Sequence, residues 1–253
     1  MAEWCRCGVA GEIAWPRKQA IVEFGNWELL AFPSTRDHEP SLHIELTRNK
    51  VSAVGARTIF NRLLSICSWC DDAPAALLDG DCGGPDAYPL ARTRRSGHLT
   101  SIIDAWPYHR APLAHPDQRL AVALYREAVW LEYISSIPYA ALGYFKILEI
   151  RQGGAGRKTW LDHHLQQAME LGEIDDFYLE KFVSAAGENG LSPARYLYEN
   201  CRLAVAHAAK APVVDPDDAQ SVRDLSASTQ VLRTLARKYI CVDLDVLEDH
   251  WQG

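Results

Sequence analysis

The spacing of apolar residues changes at Asp117, and that change constrains the fold more than any other feature of the chain. Upstream, "QAIVEFGNWELLAFP" and "SLHIELTR" alternate apolar and polar positions, with Gly25-Asn26 as a turn signal between two short strands, which predicts a small sheet. "AVGARTIFNRLLSICSWC" then places Val54, Ile59, Leu63, Ile66 and Cys67 or Cys70 at helical spacing, so one amphipathic helix runs from Ala53 to Cys70 and stops at Asp71-Asp72. The stretch from Asp71 to Thr100 is dense in Gly, Pro, Asp and Arg and reads as a long loop or a domain boundary. "WPYHRAPLAHPD", with Pro107, Pro112 and Pro116, blocks any helix before Asp117.

Downstream the period is 3.6. Helices are expected over "DQRLAVALYREAVWLEYIS" (117–135), "YAALGYFKILEI" (139–150), "KTWLDHHLQQAMEL", "IDDFYLEKFVSAAG" and "SPARYLYENCRLAVAHAAK". A long last helix capped at Asp215 completes a bundle of five or six members. The Ser192-Pro193 pair is a helix-start signal. "GGAGR" (153–157) lacks the Gly-Lys-Ser/Thr ending of a phosphate loop and reads as a helix C-cap and hinge. The expected class is therefore α+β: a β-rich domain over 1–105 with one amphipathic helix and a long loop, followed by an all-α bundle over 106–253.

Composition limits function. The chain has 253 residues, 48% apolar, and a net charge of −7, so it can build a core but carries no global basic field that would gather nucleic acid by charge alone. No apolar run is long enough to span a bilayer, and the N-terminus has no apolar leader core, so a cytoplasmic protein without membrane contact is expected. Seven scattered cysteines fit reduced thiols better than a disulfide framework. "CRC" (Cys5, Cys7) and "CSWC" (Cys67, Cys70), with Cys82 and His98, offer zinc-ligand types, but Cys5 and Cys7 have the wrong spacing for a knuckle. His163 and His164, being adjacent, cannot face the same way on a helix. Buried thiols, no metal and no cofactor are expected.

No GxSxG or Cys/His/Asn signature points to a hydrolase. Arg92, Arg94 and Arg95 with His98 form a basic cluster in the long loop, either an anion contact or a solvated face. In "LYENCRLAVAHAAK" (197–210), Arg202 and His207 are separated by four residues. With 19 arginines and nine histidines in the chain, composition alone yields about 0.7 such spacings, so the interval by itself carries no information. Geometry says more. At roughly 100° per residue, Ala194, Leu197, Tyr198, Cys201, Val205 and Ala208 form a core stripe. Arg202 and His207 flank an outer face of Glu199, Leu203, Ala206 and Lys210. A second copy docking there about a two-fold axis would bring two Arg and two His into one cleft. The competing reading is a helix surface with a structural Arg paired to Glu199 or Glu149.

The order of elements resembles the HEPN superfamily, helical bundles that dimerise and in many members carry an R-x4-6-H motif late in the bundle; "RLAVAH" and "LGYFKILEI", ending near Glu149, are the matching segments. More narrowly, "RLAVALYREA", "YFKILEI", "YENCRLAVAHA" and "VDPDD" resemble bacterial methylamine-utilisation J-type proteins with a HEPN-like half, over about 117–239. The resemblance implies metal-independent RNA cleavage by 2′-OH attack, giving 2′,3′-cyclic phosphate ends. Arg202 and His207 would be catalytic, Glu149, Asn200 and Glu199 supporting, and Arg92, Arg94, Arg95 and Lys210 would contact RNA. It further implies a homodimer, RNA as partner and a toxin or antiviral defence effector controlled by a regulatory protein. Ribonuclease-type members often have a polar residue after the arginine. Here that residue is Leu203, which favours the alternative of a non-catalytic dimeric accessory protein. A small-molecule sensor using the 71–100 loop is a third possibility.

Overall fold

The computed structural model of the protein describes residues 2–92, 102–103, 112–206 and 219–248. These form two compact units, one built on Met1–Trp130 and joined by Leu247 and Glu248, the other Leu131–Val246. The first is a sheet with helices and the second is all helix, so the chain is α+β.

In the first unit, strands β1 (Trp4–Gly11), β3 (Ala20–Phe24), β4 (Trp27–Phe32), β5 (Ser41–Glu45) and β6 (Ala75–Cys82) make one sheet in the order β3-β4-β5-β1-β6. All its pairs are antiparallel. Gly25, at φ 61°, turns the chain from β3 into β4 where the sequence signal lies. Registers Cys5↔Ile44, Cys7↔Leu42, Leu29↔Ile44 and Ala31↔Leu42 align one apolar face, and every one of these side chains is fully buried. The short strands β2 (Trp15–Pro16) and β7 (Ile102–Ile103) pair in parallel.

β5 and β6 flank β1 and are parallel to each other, so the link between them must cross over. It does so through α1 (Leu46–Asn49) and α2 (Ala53–Asp71), which lies against β1 and β6. Ser52 caps α2 by accepting from the Gly55 amide at 3.1 Å, and Asp72 ends it in the left-handed region at φ 48°. The predicted helix is therefore present, except that Val54 is exposed rather than on the core face. The first residues of α3 (Pro116–Tyr133) pack here too: the Tyr125 hydroxyl donates to Asp72 at 2.5 Å, and the ring meets Trp69 edge-on.

Two expectations for this unit are corrected. The stretch 71–100 is not all loop, because β6 forms the edge of the main sheet beside β1. Gly80 looks like punctuation in the sequence. In the sheet it is required, since a Cβ there would come within 1.9 Å of the Arg6 carbonyl oxygen, beside the register shift between Cys7 and Val9. That same pairing sets Cys5 opposite Cys82, and the two form a disulfide across 77 residues of chain, against the expectation that all the thiols are reduced. Cys7, Cys67 and Cys201 are buried thiols as expected. Among the described residues no group of three or more His, Cys, Asp or Glu comes together, and no helix is long and apolar enough to cross a membrane.

The second unit contains α4 (Ile137–Ile147), α5 (Gly154–Glu170), α6 (Asp176–Glu188), α7 (Pro193–Tyr196), α8 (Ala204–Ala206) and α9 (Ala219–Val242). A π-helical segment, Leu197–Leu203, joins α7 to α8. α9 is the central member, in contact with α4, α5, α6 and the π-helical turn. Its buried side chains Val231, Leu235, Tyr239 and Ile240 share the core with Tyr144, Phe145, Leu165 and Phe182. Asp175 caps α6 by accepting from the Phe177 amide, and Pro193 opens α7 as the sequence signals. "GGAGR" is corrected from hinge to helix start, with Gly153 as the N-cap residue and Arg157 in the first turns of α5.

Candidate functional site

The segment that carries Arg202 is not an ordinary helix. Seven residues, "LYENCRL", adopt the wide π-turn, in which each carbonyl accepts from the amide five residues on; such turns recur at functional positions. The 100° step behind the expected stripe does not hold across such a turn. Ala194, Leu197 and Cys201 are buried as expected, but Ala204 is buried where Val205 was expected, and Tyr198 and Val205 are only half-buried. Cys201 faces inward so completely that burial pushes its thiol up to about 12.

Arg202 lies near the end of this turn with its side chain 29% exposed, and its Nε donates to Glu149 Oε1 at 3.3 Å. Glu149 follows α4 and is bound more tightly by a second guanidinium, Arg157 Nη1 at 2.5 Å. The Tyr198 ring stands between the two, 5.2 Å from the Arg157 guanidinium carbon and 6.0 Å from that of Arg202. One carboxylate thus serves two permanent cations, and the cluster keeps one net positive charge.

Beside the cluster a cleft of about 480 Å³ opens between α5 and α7 and the π-turn, lined by Arg157, Lys158, Arg195, Tyr198, Glu199 and Leu161. Three cations face one carboxylate there. Glu199 is taken by Arg195, four residues earlier, at 2.7 Å. Among the described residues Lys158 has no carboxylate partner. Such a surface is chemically suited to an anion with an apolar or aromatic part, because a guanidinium fork can bind phosphate oxygens and Tyr198 has a ring face.

The residues singled out in the sequence separate as follows. Arg202 and Glu149 meet. Glu199 and Asn200 are adjacent in the chain but engaged elsewhere, Glu199 with Arg195 and Asn200 with the Tyr196 hydroxyl, whose pKa is raised mainly by burial. Arg92 belongs to the sheet unit, where it donates to Ser34 Oγ at 2.7 Å and to the carbonyls of Thr35 and His38. His207, Lys210, Arg94, Arg95 and His98 lie outside the described residues, as does Asp215. Sequence reasoning missed Arg157, Lys158 and Arg195; the one available signal was the Arg157-Lys158 pair opening α5. The His164 ring lies tilted against Trp160, 4.3 Å between centroids, and its pKa is lowered, chiefly by burial.

A family model described as "Methylamine utilization protein MauJ" matches residues 121–241, from within α3 to near the end of α9, and so spans Glu149, Arg157 and Arg202. No curated protein and no solved structure matches the chain. The helical unit is thus similar, over most of its length, to the family described as methylamine utilization protein MauJ.

Proposed function

We propose that the helical unit is a metal-independent RNA endonuclease of the HEPN type. Arg202 holds the scissile phosphate and stabilises the charge it gains in the transition state. His207 moves the proton: an imidazole near neutrality takes it from the ribose 2′-OH or delivers it to the departing 5′-oxygen. The 2′-oxygen bonds to phosphorus as the P–O5′ bond breaks, leaving a 2′,3′-cyclic phosphate and a 5′-hydroxyl. Two copies meeting through the outer face of Leu203 and Ala206 supply two imidazoles, one as base and one as acid. Single-stranded RNA is the substrate, because the attacking oxygen must line up opposite the leaving one and a regular duplex resists that geometry.

The observation that carries this reading is the sharing of Glu149 between Arg157 and Arg202, which leaves a surplus positive charge beside a cationic cleft. The acidic net charge of −7 supports control by a partner protein over indiscriminate RNA binding. One observation favours the other reading, a non-catalytic accessory dimer: Arg202 already has a carboxylate, so its charge has a structural use.

The two readings diverge on a direct assay. With EDTA present, the full chain is expected to cut single-stranded RNA to cyclic-phosphate ends. A substrate with 2′-deoxyribose at the scissile position should survive. His207→Ala and Arg202→Ala should each lower the rate by about 10² or more while sedimentation still shows the dimer. Intact RNA across varied sequences, or cleavage unchanged in both variants, refutes the nuclease.

A further inference from the structure

Between α2 and α3 in the sheet unit runs a groove made of two adjoining cavities, of about 250 and 450 Å³, with Asn61, Leu120, Ala123 and Arg126 lining both. The smaller also contains Arg62 and Arg119. Two arginines with well-buried side chains have carboxylates: Arg6 is on Asp81 and Arg157 on Glu149. These three do not. Arg119 spends its Nη1 on the carbonyls of Leu113 and Ala114. Arg126 donates Nη1 to the neutral Asn61 amide oxygen at 2.7 Å. Arg62 is exposed at the rim. None of them has an ion pair among the described residues.

Arg126 is half-buried, and its pKa is lowered by burial, opposed only by the charge of its exposed neighbour Glu127. A guanidinium withdrawn from water without a countercharge is costly to keep, and an anion entering the groove would remove that cost. The walls add an apolar requirement, since Ile66, Leu113 and Val122 are buried here and Leu120 presents 50% of its surface. A bare inorganic ion would leave those walls unused. A nucleic-acid strand would need a continuous basic track, whereas these cations are gathered in one concave pocket.

We propose that this groove binds a small organic anion, its carboxylate or phosphate held by Arg126 and Arg62 and its apolar body seated against Ile66, Leu113 and Leu120. The site lies in the sheet unit and does not rest on the nuclease reading.

The test is calorimetry on the full chain with phenyl phosphate, phenylacetate, benzyl alcohol and inorganic phosphate as probes. At least one of the two aromatic anions is expected to bind saturably, one per chain and at least tenfold tighter than benzyl alcohol or inorganic phosphate. The preferred anionic group identifies the natural one. Arg126→Met and Arg62→Gln should each weaken that binding tenfold or more with an unchanged circular dichroism spectrum. Should Arg126→Met fail to fold, Arg62→Gln carries the same expectation, because Arg62 is exposed and makes no ion pair among the described residues. Absence of saturable binding by either anion, equal binding of benzyl alcohol, wild-type affinity in the folded variants, or displacement of the anion by a single-stranded RNA oligonucleotide overturns the proposal.

Discussion

His43 sits in β5 with Leu30 on one neighbouring strand and Arg6 on the other, fully buried and stacked on Phe32 at 4.3 Å. Its Nε2 is hydrogen-bonded to Ser41 Oγ at 2.9 Å, while Nδ1 has no hydrogen-bond partner among the described residues. Burial, with the Arg6 charge nearby, lowers its pKa to about 3. Arg6 cannot move away: it is clasped by Asp81 and by the carbonyls of Gly83 and Asp86, with Tyr88 over its guanidinium. The unfolded chain therefore takes up a proton at His43 near pH 6.5 that the folded chain refuses until about pH 3. More protons on the unfolded state means that stability rises with pH across this window, and acidification removes about 1.4 kcal/mol per pH unit from this group alone. His43→Gln keeps a hydrogen-bonding group facing Ser41 and does not titrate. Its urea midpoint should fall less steeply than that of the wild type between pH 6 and 4.5, a range above the depressed Asp81 carboxyl. The lowered His164 leaves a residual slope. Identical slopes in the two proteins would mean that His43 is protonated in the fold.

At the scale of elements, the π-turn is the part of the candidate site that the sequence concealed. A π-turn holds one residue more per turn than an α-helix, so deleting one residue inside it restores α-helical bonding and leaves the flanking turns in place. Deleting Asn200 should keep Leu197 and Ala204 in the core, with helix content unchanged by circular dichroism, but should move Arg202 relative to Glu149 and abolish RNA cleavage. Retained cleavage would show that the wide turn has no part in the site. Signals that act over a few residues were legible: the Gly25 turn, the helix beginning at Ala53 and the Pro193 start all lie where local chemistry requires them. What was not legible depends on partners far along the chain. Gly80 reads as a loop residue until the Arg6 backbone is set against it, and the Cys5–Cys82 pair is invisible until β6 joins β1. Arg202 could be named from its motif and Glu149 from its segment; Arg157, only eight residues from Glu149, could not, because their ion pair depends on how the chain turns from α4 into α5.

At the scale of the molecule, the charge distribution sets what the proposed nuclease would need in order to hold RNA. A chain with a net charge of −7 repels a polyanion at long range, so on the proposed reading binding would come from the few cations that line the cleft. Arg157, Lys158 and Arg195 line it and Arg202 stands beside it, against the carboxylates of Glu149 and Glu199. Between two and four phosphates can then be neutralised per cleft. For a single strand each contributes about 0.7 to the log–log salt dependence, so the slope of affinity against salt should lie between roughly −1.4 and −2.8. The measurement is fluorescence anisotropy with His207→Ala, which binds without cutting, and a labelled oligonucleotide short enough to occupy one cleft, over roughly 50 to 200 mM salt. Lys158→Ala should make the slope shallower by about 0.7 and weaken binding equally for every sequence tested. A His207→Ala slope much steeper than the cleft allows would bring in cations beyond it, with Arg92, Arg94, Arg95 and Lys210 the first to substitute. A slope near zero would leave the cleft without an RNA phosphate to hold.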